Sequence, residues 1–321
     1  MTRISSLATL LCIAALSMPQ CTDTTQTQSP AFHRIVPQTP AGMRELLQHN
    51  GEPMHLVGSH RGGQRIGFPE NCIATFENTL QSTFAMLEID PRYSKDGVLM
   101  LHHDETLDRT TSGTGKLVDY TLAELKQLRL RDTEGNLTDY VMPTLDEALE
   151  WARGKTILVL DQKGVPIEDR VAAIEKHQAE SYAMLIVSSL EHVKKVYALN
   201  PNIMMEVMVT SRERFDAFEQ TGVPWSNVIA FVGHTPPEDP ELYAMIHAKG
   251  AATMAGTSRN LDREFTGGKS TMQALKPDYQ AVLDIGIDII ETDIPIEVFS
   301  LLYGAQQPPV SRAEFFKVGS Q

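Results

Sequence analysis

Residues 86–104 read MLEIDPRYSKDGVLMLHHD and contain two apolar runs, 86–90 and 98–102, that are separated by only a few residues. Neighbouring parallel strands need a crossover of about a dozen residues, so the second run is not the next strand of a parallel sheet. The tripeptide at 95–97, Lys-Asp-Gly, favours a tight turn. The stretch therefore predicts one sheet strand, followed by an arm over 91–103 that rises from the strand end and folds back to it.

Similar apolar runs recur on both sides of this stretch, and each is followed by a segment with a helical apolar pattern. With 86–90 included, the runs are 54–59, 156–161, 182–188, 203–209, 228–233, 251–256 and 287–293. The helical segments are 73–84, 145–152, 167–179, 190–199, 212–220, 240–249 and 272–285. Thr144 and Glu147 form a capping-box pattern. Eight strands alternating with helices over about 250 residues predict a (β/α)8 TIM barrel, with 104–143 as an insertion between the second strand and the second helix.

The start of the chain has the composition of a targeting segment. An apolar stretch over 4–18 follows Arg3, is too short to span a membrane and suits a secretory signal. Cys21 has the position of the acylated cysteine of a bacterial lipoprotein, and both lipid anchoring and simple secretion stay open. We expect a signal and linker over 1–30, an extension over 31–53, the barrel over 54–303 and a tail over 304–321. The predicted location is outside the cytoplasm: periplasmic, secreted or anchored at the cell envelope.

The composition bounds the partners. The 321 residues include 28 Lys plus Arg against 41 Asp plus Glu, a formal charge of −13, and 42% are apolar. A large core can form, which excludes a wholly disordered chain, and the acidic balance argues against nucleic acid. Any phosphate chemistry then needs a few local cations or a metal. The three cysteines exclude a disulfide framework, and we expect Cys72 to be a buried thiol.

Carboxylates follow two of the predicted strands. Glu88 and Asp90 share one side of their strand, and Asp161 ends the next barrel strand. If these strands are neighbours, the three carboxylates converge at the barrel mouth and repel one another. A divalent cation removes that repulsion, and oxygen ligands favour Ca²⁺ or Mg²⁺. The alternative is a set of separate ion pairs with basic side chains nearby, namely Arg61, Arg92 and Lys163.

Histidines end the first barrel strand and the arm. His60 and His103 at one mouth would form a general acid–base pair near neutral pH. Strand alternation lets only one of His102 and His103 face the mouth, and we choose His103 because Asp104 follows it. Zinc binding by these histidines is a rival interpretation, but the spacing of a His-x-His or His-x3-His pair is absent from them.

Two cations share these strand ends. Arg61 follows His60, and Lys163 lies two residues after Asp161. A guanidinium binds phosphate oxygens in a bidentate manner, and an ammonium adds a point charge. Both side chains are therefore candidates for holding a phosphoryl group.

An ordered series of motifs makes a family resemblance specific. The motifs are His60-Arg-Gly-Gly63, Pro69-Glu-Asn71, Glu88-x-Asp90, Lys95-Asp-Gly97, His103-Asp104, Leu107-Asp-Arg-Thr-Thr111 with Gly113 and Gly115, Pro143-Thr-Leu145 and Thr292-Asp-x-Pro295. Over about residues 54–303, the chain resembles the glycerophosphodiester phosphodiesterase family. The resemblance implies a (β/α)8 barrel with this insertion, a divalent ion, commonly Ca²⁺ or Mg²⁺, and a two-histidine mechanism. It also implies a small-molecule glycerophosphodiester as the substrate, cleaved to glycerol phosphate and an alcohol.

The resemblance assigns roles residue by residue. Glu88 and Asp90 would bind the metal, and His60 and His103 would act as acid and base, with Arg61 and Lys163 on the phosphoryl oxygens. Glu70 would be either a ligand or a supporting residue, and the alternative is a carboxylate that stabilises a helix start. The family often has Glu-x-Lys where this chain has Asp161-x-Lys163, so ligation by the shorter Asp161 would pass through water. Glu291, on the last strand, would either face the mouth or be a structural partner of a neighbouring basic residue, and we expect the second.

The predicted reaction proceeds through a cyclic phosphate or by direct attack of water. Two other functions stay open at this point. One is a related exported phosphodiesterase acting on intact phospholipids, which the mostly polar insertion disfavours. The other is a barrel that binds phosphorylated ligands without catalysis, for which the loss of an acid–base residue would be expected. The motif positions retain both histidines.

Overall fold

The computed structural model describes residue 1 and residues 31–319, and a closed parallel barrel lies at its centre. In chain order the strands are β1 (Phe32–Ile35), β2 (Val57–Ser59), β3 (Ala85–Ile89), β4 (Pro91–Tyr93), β5 (Leu99–Leu101), β6 (Leu158–Leu160), β7 (Ala183–Val187), β8 (Met204–Met208), β9 (Val228–Phe231), β10 (Ala252–Gly256), β11 (Ile289–Thr292) and β12 (Phe316–Gly319). The barrel order is β10-β11-β2-β3-β6-β7-β8-β9. Seven barrel strands lie within predicted runs and β3 begins one residue before its run, at Ala85, so the predicted (β/α)8 barrel is confirmed.

The barrel strands are apolar because both of their faces are covered. Every residue of β3 is buried, and its register pairs Leu87 with Leu158 and Ile89 with Leu160 of β6. The two strands are neighbours although 68 residues separate the end of β3 from the start of β6. This adjacency brings the carboxylates at their ends to the same edge of the barrel.

Helices follow the barrel strands and cover the outside of the barrel. The helices of the described residues are α1 (Pro40–Leu47), α2 (Ile73–Ser82), α3 (Leu122–Leu125), α4 (Leu145–Ala152), α5 (Ile167–Lys176), α6 (Leu190–Leu199), α7 (Arg212–Glu219), α8 (Pro240–Ala248), α9 (Leu261–Thr266), α10 (Met272–Asp284) and α11 (Pro295–Leu302). The predicted capping box opens α4, because Thr144 Oγ1 accepts from Glu147 N at 3.1 Å and Glu147 Oε2 accepts from Thr144 N at 2.8 Å. Sequence periodicity did not predict α1, α9 or α11, which are among the shorter helices.

The predicted arm is an antiparallel hairpin of β4 and β5, with Tyr93 opposite Leu99 and the turn at Gly97. It is joined to the insertion by an apolar cluster separate from the main core. The buried members of that cluster are Cys72, Met100, Leu107, Leu117, Leu125, Leu130 and Met142. Cys72 is a buried free thiol, as expected. The insertion thus has a small core of its own, which holds the arm in place.

A ribbon of β1 and β12 lies at the amino-terminal end of the barrel. The two strands pair antiparallel, and Ile35 N donates to Lys155 O, just before β6, at 2.8 Å. Arg312 is almost fully buried and donates to the carbonyl oxygens of Leu46 at 3.1 Å and Gln48 at 2.7 Å. Both ends of the described chain therefore pack on the side of the barrel opposite the strand ends that carry the polar residues.

The predicted signal and linker over 1–30, including Cys21, fall outside the described residues apart from residue 1. Among residues 31–319, none of the helices combines the length and the apolar character that crossing a bilayer requires.

Candidate active site

A cavity of about 630 Å³ opens at the carboxyl ends of the barrel strands. Both histidines and both cations proposed from the sequence line it, together with Glu88 and Asp161. Side chains from the arm and from the strand ends around the barrel complete the wall. The lining residues that were not predicted as site residues from the sequence are Gln64, Ile186, Glu206, Met208, Phe231, His234, Ser258, Arg259, Arg263, Glu291 and Asp293.

The three carboxylates predicted to converge do so. Glu88, Asp90 and Asp161 each offer an oxygen within 4.8 Å of the others. Glu88 and Asp90 are 5% and 0% exposed. Burial raises the pKa of Glu88 well above its ordinary value, and the charges of Asp90 and Asp161 raise it further. The cluster is therefore electrostatically unfavourable without a cation.

The donor set of this cluster fits a divalent cation. Lys163 Nζ lies 2.6 Å from Asp161 Oδ2 and 3.1 Å from Asp90 Oδ1, so this ammonium contacts two of the three carboxylates. The three carboxylates and the ammonium together have a formal charge of −2. Asp90 Oδ1 is buried and accepts no well-oriented hydrogen bond from the described residues, despite its nearness to Lys163. Burial would raise the pKa of Asp90, but the charges of Lys163, His103 and Arg61 and the hydrogen bond from Asn71 together outweigh it and hold the pKa below its ordinary value. All the available ligand atoms are oxygens, which suits a hard cation.

His60 is oriented by a carboxylate from the last barrel strand. His60 Nδ1 lies 2.7 Å from Asp293 Oδ1, which also accepts from Gln64 Nε2 at 3.0 Å. A carboxylate only accepts, so Nδ1 carries the proton and Nε2 is the nitrogen available to a ligand. Burial lowers the pKa of His60, but the hydrogen bond to Asp293 and the charges of Glu291 and Asp293 outweigh it, so that the pKa is raised.

His103 has the same arrangement on the arm. Its Nδ1 lies 2.8 Å from Asp104 Oδ1, and the ring lines the cavity. Burial, with the charges of Arg61 and Lys163, lowers the pKa of His103 by more than the charge of Asp90 and the hydrogen bond to Asp104 raise it. His102 is 3% exposed, and its Nε2 lies 2.9 Å from Thr106 O. The structure therefore directs His103, and not His102, to the cavity.

The turn after β2 needs two glycines. Arg61 has a φ of 51° and Gly62 and Gly63 have φ of 83° and 87°, all in the left-handed region. A Cβ at Gly62 would lie 2.3 Å from a ring carbon of Phe76. This tight turn directs Arg61 N to Glu88 Oε2 at 2.7 Å. The backbone of the turn thus holds one of the three clustered carboxylates.

Arg109, in the insertion, connects the arm to the cavity wall. It donates two hydrogen bonds of 2.8 Å to Glu70 and two of 2.7 and 2.9 Å to Asp104. Glu70 Oε2 also accepts from Arg61 Nη1 at 3.1 Å. Burial raises the pKa of Glu70, but both arginines outweigh it, so the pKa is lowered. Glu70 thus contacts arginines and lies outside the cluster of three carboxylates, while Asp104 links Arg109 to His103.

Two further carboxylates in the cavity lack partners. Glu206 and Glu291 are each 5% exposed, and neither carboxylate forms a side-chain hydrogen bond or an ion pair within residues 31–319, although Glu291 lies close enough to His60 for the two charges to interact. The expectation of a basic partner for Glu291 was wrong, because strand alternation turns its side chain into a mouth lined with other carboxylates. Burial raises the pKa of both groups. Sequence reasoning missed Glu206, although a lone charge in the apolar run 203–209 was the signal that could have found it.

Comparisons with known proteins agree on one family. The model of the glycerophosphoryl diester phosphodiesterase family matches residues 60–260. A glycerophosphoryl diester phosphodiesterase structure from Parabacteroides distasonis is 40% identical, with a TM-score of 0.84 over 89% of this chain and 99% of that one. A phosphodiesterase structure from Oleispira antarctica, in complex with the product sn-glycerol-3-phosphate, is 24% identical with a TM-score of 0.58, over 77% of this chain and 96% of that one. At that identity the likeness concerns the fold alone.

A curated relative gives a shorter match. A glycerophosphodiester phosphodiesterase from Caldanaerobacter subterraneus is 32% identical over 163 residues, which are 48% of this chain and 66% of the relative. The chain spans about half to two thirds of the length of the first curated relatives that it matches.

We expect Arg109→Met to loosen the arm. The variant leaves buried Glu70 with a single arginine and Asp104 with none, which should lower the free energy of unfolding by about 2–3 kcal/mol. Urea denaturation measures this loss, and hydrogen–deuterium exchange over 104–117 should become faster. Arg129→Met is the control, because Arg129 is an exposed arginine of the same insertion without an ion pair in the described residues. Equal effects of the two variants would contradict the role assigned to Arg109.

Proposed function

Because this chain belongs to the glycerophosphoryl diester phosphodiesterase family, we propose that it hydrolyses glycerophosphodiesters to glycerol phosphate and an alcohol. One observation carries the proposal. His60 and His103, each held at Nδ1 by a carboxylate, line the same cavity as a cluster of three carboxylates that a single lysine balances only in part. Such a site combines two proton-transfer groups with a place for a cation beside a phosphate.

Glu88, Asp90 and Asp161 would hold a divalent cation, Ca²⁺ or Mg²⁺. The residual charge of the cluster and the free buried oxygen of Asp90 support this assignment. When bound, the ion would polarise a phosphoryl oxygen and lower the pKa of a neighbouring hydroxyl. We favour Ca²⁺, since an exported protein takes its ion from outside the cytoplasm.

Arg61 and Lys163 would balance the charge of the phosphoryl oxygens. Arg61 Nε is buried and has no hydrogen-bond partner within the described residues, although the side chain lines the cavity. That N–H is therefore available to a phosphate oxygen. Lys163 would contribute a second positive charge in the same cavity while it remains paired with Asp161.

The two histidines would transfer the protons. One imidazole takes the proton of a glycerol hydroxyl at Nε2, and that oxygen attacks phosphorus in line. The other, protonated, imidazole gives its proton to the departing alcohol oxygen, which releases the alcohol and leaves a cyclic phosphate. Water then opens the ring with the two roles exchanged, and both histidines regain their starting states. Direct attack by water uses the same residues and gives the same products.

The proposal is tested by turnover of a panel of glycerophosphodiesters, with the intact phospholipids as a parallel set. We expect chelation to abolish turnover and re-addition of Ca²⁺ or Mg²⁺ to restore it. His60→Ala and His103→Ala should each lower kcat by about 10²–10⁴, the usual contribution of a general acid or base. Far-ultraviolet circular dichroism checks that both variants fold.

His192→Ala is the matched control, because His192 lies on the outer helix α6 and does not line the cavity. It should keep the turnover of the parent protein. Full activity after chelation would contradict the metal assignment, and an active His103→Ala variant would contradict the role of the arm.

We expect Asp293→Asn to lower the pKa of His60. Asp293 raises this pKa in the parent protein, so its loss leaves burial to lower the value. Nuclear magnetic resonance titration measures the change directly, and the pH profile of kcat/KM then reports the role of the residue. If His60 is the acid, the alkaline limb of the profile shifts to lower pH; if it is the base, the acid limb does. A profile in which neither limb moves would exclude His60 from proton transfer.

We also infer that the chain is exported. The support is the apolar stretch over 4–18 and Cys21, which lie outside the described residues. Deleting residues 2–20 should leave the expressed protein in the cytoplasm of a Gram-negative host. Cell fractionation measures this, and Cys21→Ser distinguishes an anchored form, which it would release from the membrane fraction, from a secreted one. Export of the truncated chain would contradict the inference.

A further inference from the structure

One side of the cavity is formed by a group of residues that the proposed reaction does not use. It consists of Ile186 from β7, Glu206 and Met208 from β8, and Phe231 from β9, and we call it the Glu206 wall. The three strands are consecutive in the barrel, and their register places Glu206 beside Ile186 and Met208 beside Phe231. The wall thus presents one carboxylate within a continuous apolar surface.

The Glu206 carboxylate has no hydrogen-bond donor or positively charged partner among the described residues. Its side chain is 95% buried, lines the cavity and contacts no hydrogen-bond donor or cation of residues 31–319. Burial raises its pKa well above the ordinary value, and the charges of Glu291 and Asp161 raise it further. Its carboxylate opens to the cavity and has no cation of the protein beside it, so a positively charged ligand can reach it. Its presence in a cavity is explained if a ligand supplies the missing positive group.

Glu206 also differs from the other acidic groups of the cavity. It is not a member of the cluster of Glu88, Asp90 and Asp161. Glu291, the other unpartnered carboxylate, lies close enough to His60 to shift the pKa of that ring. Glu206 therefore lies on β8, four strands around the barrel from β2, which His60 follows, with the apolar Ile186 beside it on β7.

A phosphodiester carries two substituents, and the proposed chemistry concerns the phosphorus and the glycerol. We propose that the Glu206 wall binds the alcohol substituent and selects alcohols that carry an ammonium group, such as choline and ethanolamine. This inference rests on the proposed function and specifies its substrate class.

The chemistry of the wall matches that class. The Glu206 carboxylate would neutralise the ammonium charge, Phe231 would present an aromatic face to it, and Met208 and Ile186 would pack against its carbon atoms. Arg259 and Arg263 bring positive charge to the same cavity, but both are exposed. Solvent screens exposed charges more strongly than buried ones. At the wall, the electrostatic effect of Glu206 on a ligand therefore exceeds that of the two arginines.

The test compares Glu206→Gln with the parent protein on two pairs of substrates. Glycerophosphocholine and glycerophosphoethanolamine carry an ammonium, whereas glycerophosphoglycerol and glycerophosphoinositol do not. We expect the ratio of kcat/KM for the charged pair to that for the neutral pair to fall by about 10- to 100-fold, as for the loss of a charge-assisted contact. Glu206→Asp should keep part of the preference, and Glu191→Gln, on the exposed face of α6, should keep all of it.

An unchanged ratio in Glu206→Gln would overturn the inference. So would an equal loss for all four substrates with a raised requirement for the divalent ion, because Glu206 would then belong to the ion site. Since Glu206 has no partner to lose, the variant should fold, and thermal melting checks this.

Calorimetric titration of the metal-loaded full chain with choline keeps this test separate from the test of the activity. We expect choline to bind the parent protein and to bind Glu206→Gln at least tenfold more weakly. Absence of choline binding to the parent protein would overturn the inference. If no glycerophosphodiester is turned over, the proposed function fails, but the choline titration still decides what the wall binds.

Discussion

Closing a parallel sheet into a barrel forces the carboxyl ends of all its strands to one mouth, and in this chain those ends carry acidic side chains. Glu88, Asp90 and Asp161 meet there within 4.8 Å, with the single ammonium of Lys163 between two of them. The remaining repulsion between these carboxylates determines which groups the rest of the site must supply. It is tolerated because the main apolar core holds the strands in register, and it leaves a charge that suits a divalent guest.

The insertion positions a second histidine, from outside the barrel, at the same mouth. The hairpin of β4 and β5 carries His103, but two short strands are not stable alone. An apolar cluster beneath the hairpin and the four hydrogen bonds of Arg109 hold it. Through Asp104 and Glu70, the same arginine reaches both His103 and Arg61. The arm and the barrel therefore position the two sides of the site together.

The net charge of the whole chain is negative, whereas the cavity contains positively charged side chains that can attract an anion. With a formal charge of −13, the protein as a whole repels anions. Inside the cavity, Arg61 and Lys163 each lie against acidic groups, and the proposed function places the phosphate where these two cations and a divalent ion would converge. The unpartnered Glu206 on the opposite wall extends the same principle, because a buried charge without a partner is a selective element for a ligand of opposite sign.

The barrel, the arm and most residues of the candidate site could be predicted from the amino-acid sequence. Eight apolar runs at regular spacing have only a few ways to bury both faces, and a few residues between 86–90 and 98–102 are too few for a parallel crossover. The contacts between residues distant in the sequence could not be predicted and became visible in the folded protein. His60 and Asp293 are 233 positions apart, the β1–β12 ribbon joins the two ends of the described chain, and Glu206 and Glu291 face one cavity from separate strands. Local patterns encode which face of an element is buried, but the partner across that face depends on the closure and register of the barrel, which no short segment contains.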